Sequence, residues 1–301
     1  MKKNKKALWI FLGPAILSFC IMFLYPVLIT VGMSFNKLGN IADPMSAWKF
    51  VGLSNYQSLF ETRLFIVSLK NIAGIWILGG ILSLLFAMLF AVILTSGVKL
   101  KGFWRAMIYL PNVISGVAMG TMWVQYVYSA KFGLLKTVLS AVGLKKLSLT
   151  QWTSPKHIFV CMIVAFSFGI VGYFMLMLIA GIERIPVSYY EAATLEGAGV
   201  YKRFFSITLP LLMDVIKSVI TLWTVTVVGF FVWSQMFTPF DIAEGTVTPM
   251  IYMYQQVFGS SFGTAERNVG GGAAIGVVLA LIVVGVFTAV NICIKDSDLE
   301  F

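Results

Sequence analysis

Charge is what this sequence has least of. Asp, Glu, Lys and Arg make up 11% of its 301 residues, against about 25% in an ordinary soluble domain. That is too little polar surface to cover a water-exposed globule. Histidine is nearly absent as well: His157 is the only one, and it sits between apolar runs beside Pro155 and Lys156, where it reads as a solvated loop residue. A single histidine outside the apolar runs excludes an HExxH zinc site, and no Ser–His pair or paired Asp falls within those runs, which argues against an intramembrane protease or transferase. No GxxxxGK[ST] phosphate loop occurs, so any use of ATP needs a separate chain. The three cysteines, Cys20, Cys161 and Cys293, all lie inside apolar stretches without metal-ligand spacing. They read as small apolar side chains, and neither a cofactor nor a metal is expected.

Apolar residues account for 59% of the chain, with a mean hydropathy of +0.92. They gather into six runs, near residues 8–34, 64–95, 106–128, 158–182, 211–238 and 270–294, each long enough for a hydrocarbon core of about 30 Å. The expected fold is therefore all-α: a polytopic membrane protein with six transmembrane helices, forming one domain over residues 1–301. The first run follows a Lys-rich start but is too long for a signal peptide and ends without a small-x-small cleavage site. Leu17-Ser18-Phe19-Cys20 has a bulky Phe19 where a lipoprotein box needs a small residue. This span is read as retained.

The net charge of +10 does not point to nucleic acid, because the Lys and Arg residues are scattered through short loops. They fit topology-setting and lipid headgroup contact. The cluster Lys2, Lys3, Lys5 and Lys6 places the N-terminus in the cytoplasm, and an even number of spans brings the C-terminus to the same side. The remaining basic residues divide almost evenly between the two sets of loops, so the first helix and the segment described next decide the orientation.

Between the fourth and fifth runs lies Glu191-Ala192-Ala193, then Gly197, then Ile207 and Leu209-Pro210. Pro186 suits the start of a helix, Val187 to Glu196 holds no breaker, and Gly197 can take the positive φ that reverses a chain. A second helix can begin near Val200. The segment thus reads as helix, turn, helix across the cytoplasmic face, with Ala192 and Ala193 small enough for close approach to a groove and Leu195 offering apolar area. At about one in fifteen per position, the seven fixed residues would match by chance on the order of 10⁻⁶ over this length. The pattern resembles the EAA loop of the permease subunits of bacterial ABC importers. Phe50-Val51-Gly52-Leu53-Ser54-Asn55-Tyr56, Tyr109-Leu110-Pro111 with Ser115 and Trp123, Phe132-Gly133-Leu134-Leu135, Gly143-Leu144 and Gln151-Trp152 are similar to segments of the sugar-type permeases in that family.

The resemblance implies a type I importer permease fold, with a coupling helix in the 184–210 loop that takes force from an ATPase through Glu191, Ala192, Ala193, Leu195, Gly197, Ile207, Leu209 and Pro210. It implies as partners a second, homologous permease, two ATP-binding subunits and an extracytoplasmic solute-binding protein. It implies no catalysis in this chain. With little buried charge the cargo reads as neutral, a sugar or oligosaccharide, with glycerol phosphate or a polyamine as alternatives in the same class. A stand-alone secondary transporter would show repeats or a charged relay, and neither is evident. Candidate pathway residues are Gly169, Gly172 and Tyr173 in the fourth span and Trp223, Thr226 and Phe230 in the fifth, a stripe that Trp233 continues. Aromatic faces stack on sugars and hydroxyls bond them. In the maltose permease those two spans carry sugar contacts. Tyr173 falls at an aromatic position of that site, whereas Trp223, Val227 and Phe230 stand where its polar contacts lie, so the site could belong to this subunit or to its partner. Lys70 is expected to snorkel, and Asp214 and Lys217 to form a local pair.

Overall fold

The computed structural model describes residues 5–238, 243–259 and 267–294. Lys2 and Lys3, on which part of the orientation argument rests, lie outside them. Among the described residues, four helices are long and apolar enough to cross a membrane, and two bent helix pairs reach that length together. Contacts cluster into two units, residues 1–66 with 252–281 and residues 67–251 with 282–301.

In the first unit, helix α1 (Trp9–Ser34) buries none of its apolar window. Its faces therefore need lipid or another chain to cover them. A short antiparallel hairpin follows, β1 (Asn36–Lys37) with β2 (Lys49–Phe50), then α2 (Ser54–Glu61). Asn55 is the latch here: its buried amide donates to the Ser34 and Asn36 carbonyls, both at 2.9 Å. The Tyr56 hydroxyl donates to Ser34 Oγ at 2.7 Å. Buried backbone carbonyls must find donors, which is why a polar pair stands at the end of this span.

The second unit is built around one long buried helix. Helix α3 (Arg63–Thr95) leads into it from the first unit. Helices α4 (Lys101–Val113) and α5 (Gly116–Val127) meet at 94°. Two short helices, α6 (Leu134–Ala141) and α7 (Lys145–Ser148), precede the central α8 (Ile158–Ile182). Then come α9 (Val187–Leu195), α10 (Val200–Leu211), α11 (Met213–Val228) and α12 (Val232–Phe237). Helices α13 (Pro249–Phe258) and α14 (Val269–Cys293) complete the order, with α13 from Tyr252 and α14 up to Leu281 belonging to the first unit.

The aromatic centre of the second unit is organised by a π-turn in α3 at Ile75–Gly79. A π-turn opens the hydrogen-bond ladder, and the Trp76 carbonyl accepts from Trp223 Nε1 at 3.0 Å. Trp76 Nε1 in turn donates to Thr224 Oγ1 at 2.9 Å. Gly79 and Gly80 leave the room for the Trp223 ring. Phe166 meets Trp223 and Phe230 at 5.6 and 4.9 Å between ring centroids, within the range where aromatic pairs attract.

Two expected spans are not continuous helices. The third, read as 106–128, turns through a right angle at Ile114–Ser115. Pro111 removes one ladder hydrogen bond, and Ser115 starts a new helix by accepting from the Ala118 N–H at 3.3 Å. The fifth, read as 211–238, is broken at Gly229–Phe231. The Phe230 carbonyl freed there accepts from Thr248 Oγ1 at 2.7 Å. The segment 243–248, buried from Thr246 onward, is fastened further by Asn71, whose amide donates to the Glu244 and Val247 carbonyls at 2.7 and 2.9 Å, and by the Ser234 hydroxyl, which donates to the Thr246 carbonyl. Irregular backbone at membrane depth requires such partners. Lys70 is exposed, and Lys217 lies 3.7 Å from Asp214. His157 is half-buried, beside Ser154 Oγ at 3.2 Å and Trp152, rather than freely solvated.

Candidate functional site: the interhelical knuckle and the broken-helix pocket

The segment 186–211 is a compact knuckle. Pro186 stands just before α9 in extended conformation, where its missing N–H loses nothing. The far end closes as a Schellman motif: Ala198 N–H bonds the Ala193 carbonyl at 2.8 Å, and Gly197 N–H bonds the Thr194 carbonyl at 3.0 Å. Gly197 sits at φ +76°. Two side-chain bridges then tie α9 to α10. Arg203 Nη1 donates to Thr194 Oγ1 at 3.0 Å, and the Tyr190 and Thr208 hydroxyls share a bond at 2.9 Å. Nothing in the sequence pattern singles out Tyr190, Thr194 or Thr208, because each partner lies on the other side of the turn.

With its internal bonds satisfied, the knuckle turns an apolar set outward. Leu195 is 90% exposed and Tyr201 85%, with Val187 and Phe205 also exposed. Glu191 and Ala192 share this outer surface, whereas Ala193 and Ile207 are half-buried against the fold. Leu209 is half-buried, and Pro210 precedes the 69° bend into α11. Nearby, Arg105 Nη2 meets Glu183 Oε1 at 2.5 Å, joining the start of the third span to the end of the fourth.

The pathway candidates separate into three groups. Trp223 and Phe230 are 1% and 2% exposed and belong to the aromatic centre. Gly172 is a close-approach point: a Cβ there would fall on the Ile108 carbonyl oxygen and 2.6 Å from Tyr109 Cα. All three are packed within the second unit: Trp223 on the π-turn of α3, Phe230 on Phe166 and Gly172 on the backbone of α4. Tyr173 is half-buried and stands edge-on to Phe174 at 5.1 Å. The Thr226 hydroxyl bonds back to the Leu222 carbonyl at 2.8 Å.

Gly169 lies elsewhere, in a cavity of about 150 Å³ whose lining includes Pro111, Asn112, Ile114, Phe166 and Trp233. The cavity exists because the third span breaks there and the fifth breaks beside it: α5 packs on α12, with Gly116 against Val232 and Gly120 against Met236. Discontinuous membrane helices that meet in this way are a mark of transporter binding sites. Asn112 Nδ2 reaches the Gly169 carbonyl at 3.4 Å, a long contact that leaves the amide available. Asn112 was missed in the sequence, where the polar residue directly after Pro111 was the signal. Ligand pockets commonly begin at about 300 Å³, so this cavity by itself is smaller than a usual ligand pocket. Among the described residues no group of His, Cys, Asp and Glu could hold a metal ion.

Comparison with known proteins places this architecture. Residues 83–294 match the model of the binding-protein-dependent transport system inner membrane component. The arabinooligosaccharides transport system permease protein AraP of Bacillus subtilis is 31% identical, over 98% of this chain and 90% of its own. The diacetylchitobiose uptake system permease protein NgcF of Streptomyces coelicolor is 29% identical, over 78% of this chain and 68% of its own. A chain in the crystal structure of a bacterial ABC transporter involved in the import of the acidic polysaccharide alginate shares the fold, with a TM-score of 0.79 and 21% identity over 97% of this chain and 96% of its own. This chain is a multi-pass transport subunit, not an enzyme, and it belongs to the family of binding-protein-dependent transport system inner membrane components.

Proposed function

We propose that this chain and a second, related permease form the alternating-access pathway of an ABC importer for an oligosaccharide. An extracytoplasmic binding protein delivers the cargo, and two separate ATP-binding subunits drive its passage through the knuckle. The observation that carries the reading is the exposed, internally braced surface of α9 and α10 at one end of α8. An amphipathic helix seated in a groove is an established recognition mode, and bracing lets the helix transmit displacement instead of absorbing it. Glu191 adds a carboxylate for charge-assisted bonds to the groove. In this reading the knuckle and both termini face the cytoplasm.

The sugar reading is supported by the uncharged pocket wall and by relatives named for oligosaccharides. Asn112 supplies an amide for sugar hydroxyls, Trp233 a face for sugar C–H groups, and Gly169 the room beside them. The second permease supplies the opposite wall. Replacing Asn112 or Trp233 by Ala should raise the half-saturating cargo concentration about tenfold, since one lost polar or stacking contact is worth about 1.4 kcal/mol. Uptake measured in vesicles with the cognate binding protein, itself first tested against a glycan panel, checks this. Unchanged saturation in both variants, or tight capture of an amino acid or polyamine by the binding protein, would overturn the assignment.

A further inference from the structure

The end of α8 opposite the knuckle carries a basic cleft. Between Ser129 and His157 there are five lysines and no Asp or Glu. Lys131, Lys136, Thr137, Ser140 and Ala141 line an open cleft of about 430 Å³. The cleft is held in shape: Lys136 Nζ donates to the Ala130 and Lys131 carbonyls at 2.9 and 3.2 Å, and Thr137 Oγ1 to the Gly133 carbonyl at 3.1 Å. Beside it runs an apolar line that faces outward, with Leu134 61% and Val142 71% exposed, and Val138 between them.

We propose that this cleft binds the headgroup of an anionic phospholipid in the bilayer leaflet at that end of the molecule. Three observations converge. The Lys131 ammonium, the third N–H of Lys136 and the Ser140 hydroxyl are donors around one cleft that suit a phosphodiester. Apolar side chains next to lysines on a short helix are the signature of a segment lying in the membrane interface. The position fits too. Helix α6 lies between the end of α5 at Val127 and the start of α8 at Ile158, with the Tyr128 hydroxyl donating to the Cys161 carbonyl at 3.0 Å. The 25 residues of α8 put it roughly 37 Å from the knuckle, about one membrane thickness away. The lipid's acyl chains would cover Leu134, Val138 and Val142, which a soluble anion would leave bare.

The test uses the assembled importer in nanodiscs of equal phosphatidylglycerol and phosphatidylcholine. After transfer to mild detergent, the retained lipids are counted by mass spectrometry. The parent should keep phosphatidylglycerol about tenfold over phosphatidylcholine. Lys131→Gln with Lys136→Gln should lower that enrichment at least fivefold, given the attraction each lysine contributes at a membrane surface. Lys99→Gln with Lys101→Gln, at the other end of the spans, should leave it unchanged. Binding-protein affinity should stay within twofold in all variants, and a monodisperse complex reports correct folding. Equal enrichment in the parent and the Lys131/Lys136 pair would overturn the proposal. So would unchanged lipid retention with weakened docking of the binding protein, which would assign the cleft to that partner.

Discussion

Replacing Gly197 by Val should lower cargo moved per ATP by about 5- to 30-fold without dissociating the complex. The magnitude follows from the backbone. Gly197 occupies φ +76°, and an L-residue in the left-handed region loses about 1–2 kcal/mol, more when β-branched. No atom lies within 4 Å of where its Cβ would be, so crowding contributes nothing and the whole effect is conformational. A left-handed residue at this position allows the Ala198–Ala193 and Gly197–Thr194 bonds to form together. Without it, α9 leaves the turn in another direction, and the Arg203–Thr194 and Tyr190–Thr208 bridges lose their alignment. Gly197→Asn is the control, since Asn tolerates this conformation and should keep most of the coupling. ATP hydrolysis and vesicle uptake measured on the same preparation give the ratio directly. Full-rate transport by the Val variant would remove the turn from the mechanism.

The second large effect is on stability. Gly172→Ala adds one methyl group where α8 touches the backbone of α4 at Ile108 and Tyr109. Backbone cannot rotate aside as a side chain can, so α4 must shift, and overpacking of this kind costs typically 1–3 kcal/mol. Because α4 carries Pro111 and Asn112, the shift also moves the lining of the cavity beside Gly169. Gly181→Ala is the comparison. Its Cβ would meet only side chains, Leu212 Cδ1 at 2.5 Å and Val215 Cγ2 at 2.8 Å; the Leu212 methyl can swing aside, while Val215, held to one χ1 rotamer in its helix, must give by a small shift. Thermal unfolding of the purified complex should therefore show the larger drop for Gly172→Ala, with uptake reduced in parallel. Equal melting temperatures for the two variants would contradict the close contact between α4 and α8.

Much of the helical framework was legible because burial in lipid demands long apolar runs. The fourth run was read as 158–182, and the helix spans Ile158–Ile182. The turn at Gly197 was legible for a similar reason: a helix start, an uninterrupted stretch and a glycine form a local signal. The breaks were not. Pro111 and Ser115 interrupt a run whose apolar composition continues on both sides, and composition carries no direction, so a right-angle turn leaves the hydropathy unchanged. The surroundings of the aromatic stripe were not legible either. Trp223, Thr226 and Phe230 recur at helical spacing, which places them near one face without saying what that face meets. What it meets is set by the π-turn in α3, well over a hundred residues earlier, where the Trp76 carbonyl awaits the indole of Trp223. Asn112 and Trp233 come to line one cavity only because the third and fifth helices both break beside Gly169. Such pairings depend on tertiary contacts that local periodicity does not encode.

The central claim is that the 184–210 loop is the surface through which an ATPase moves this chain. Cysteine placed at Ala192 tests it most directly, in the assembled importer with native cysteines replaced. Ala192 is exposed on α9 and small enough to report contact at short range. A zero-length or short crosslinker should join it to the ATP-binding subunit in high yield, the yield should change when ATP is trapped, and membrane-impermeant thiol reagents added outside intact cells should not reach it. Labelling from outside, with no crosslink to the ATPase in any nucleotide state, would contradict the account.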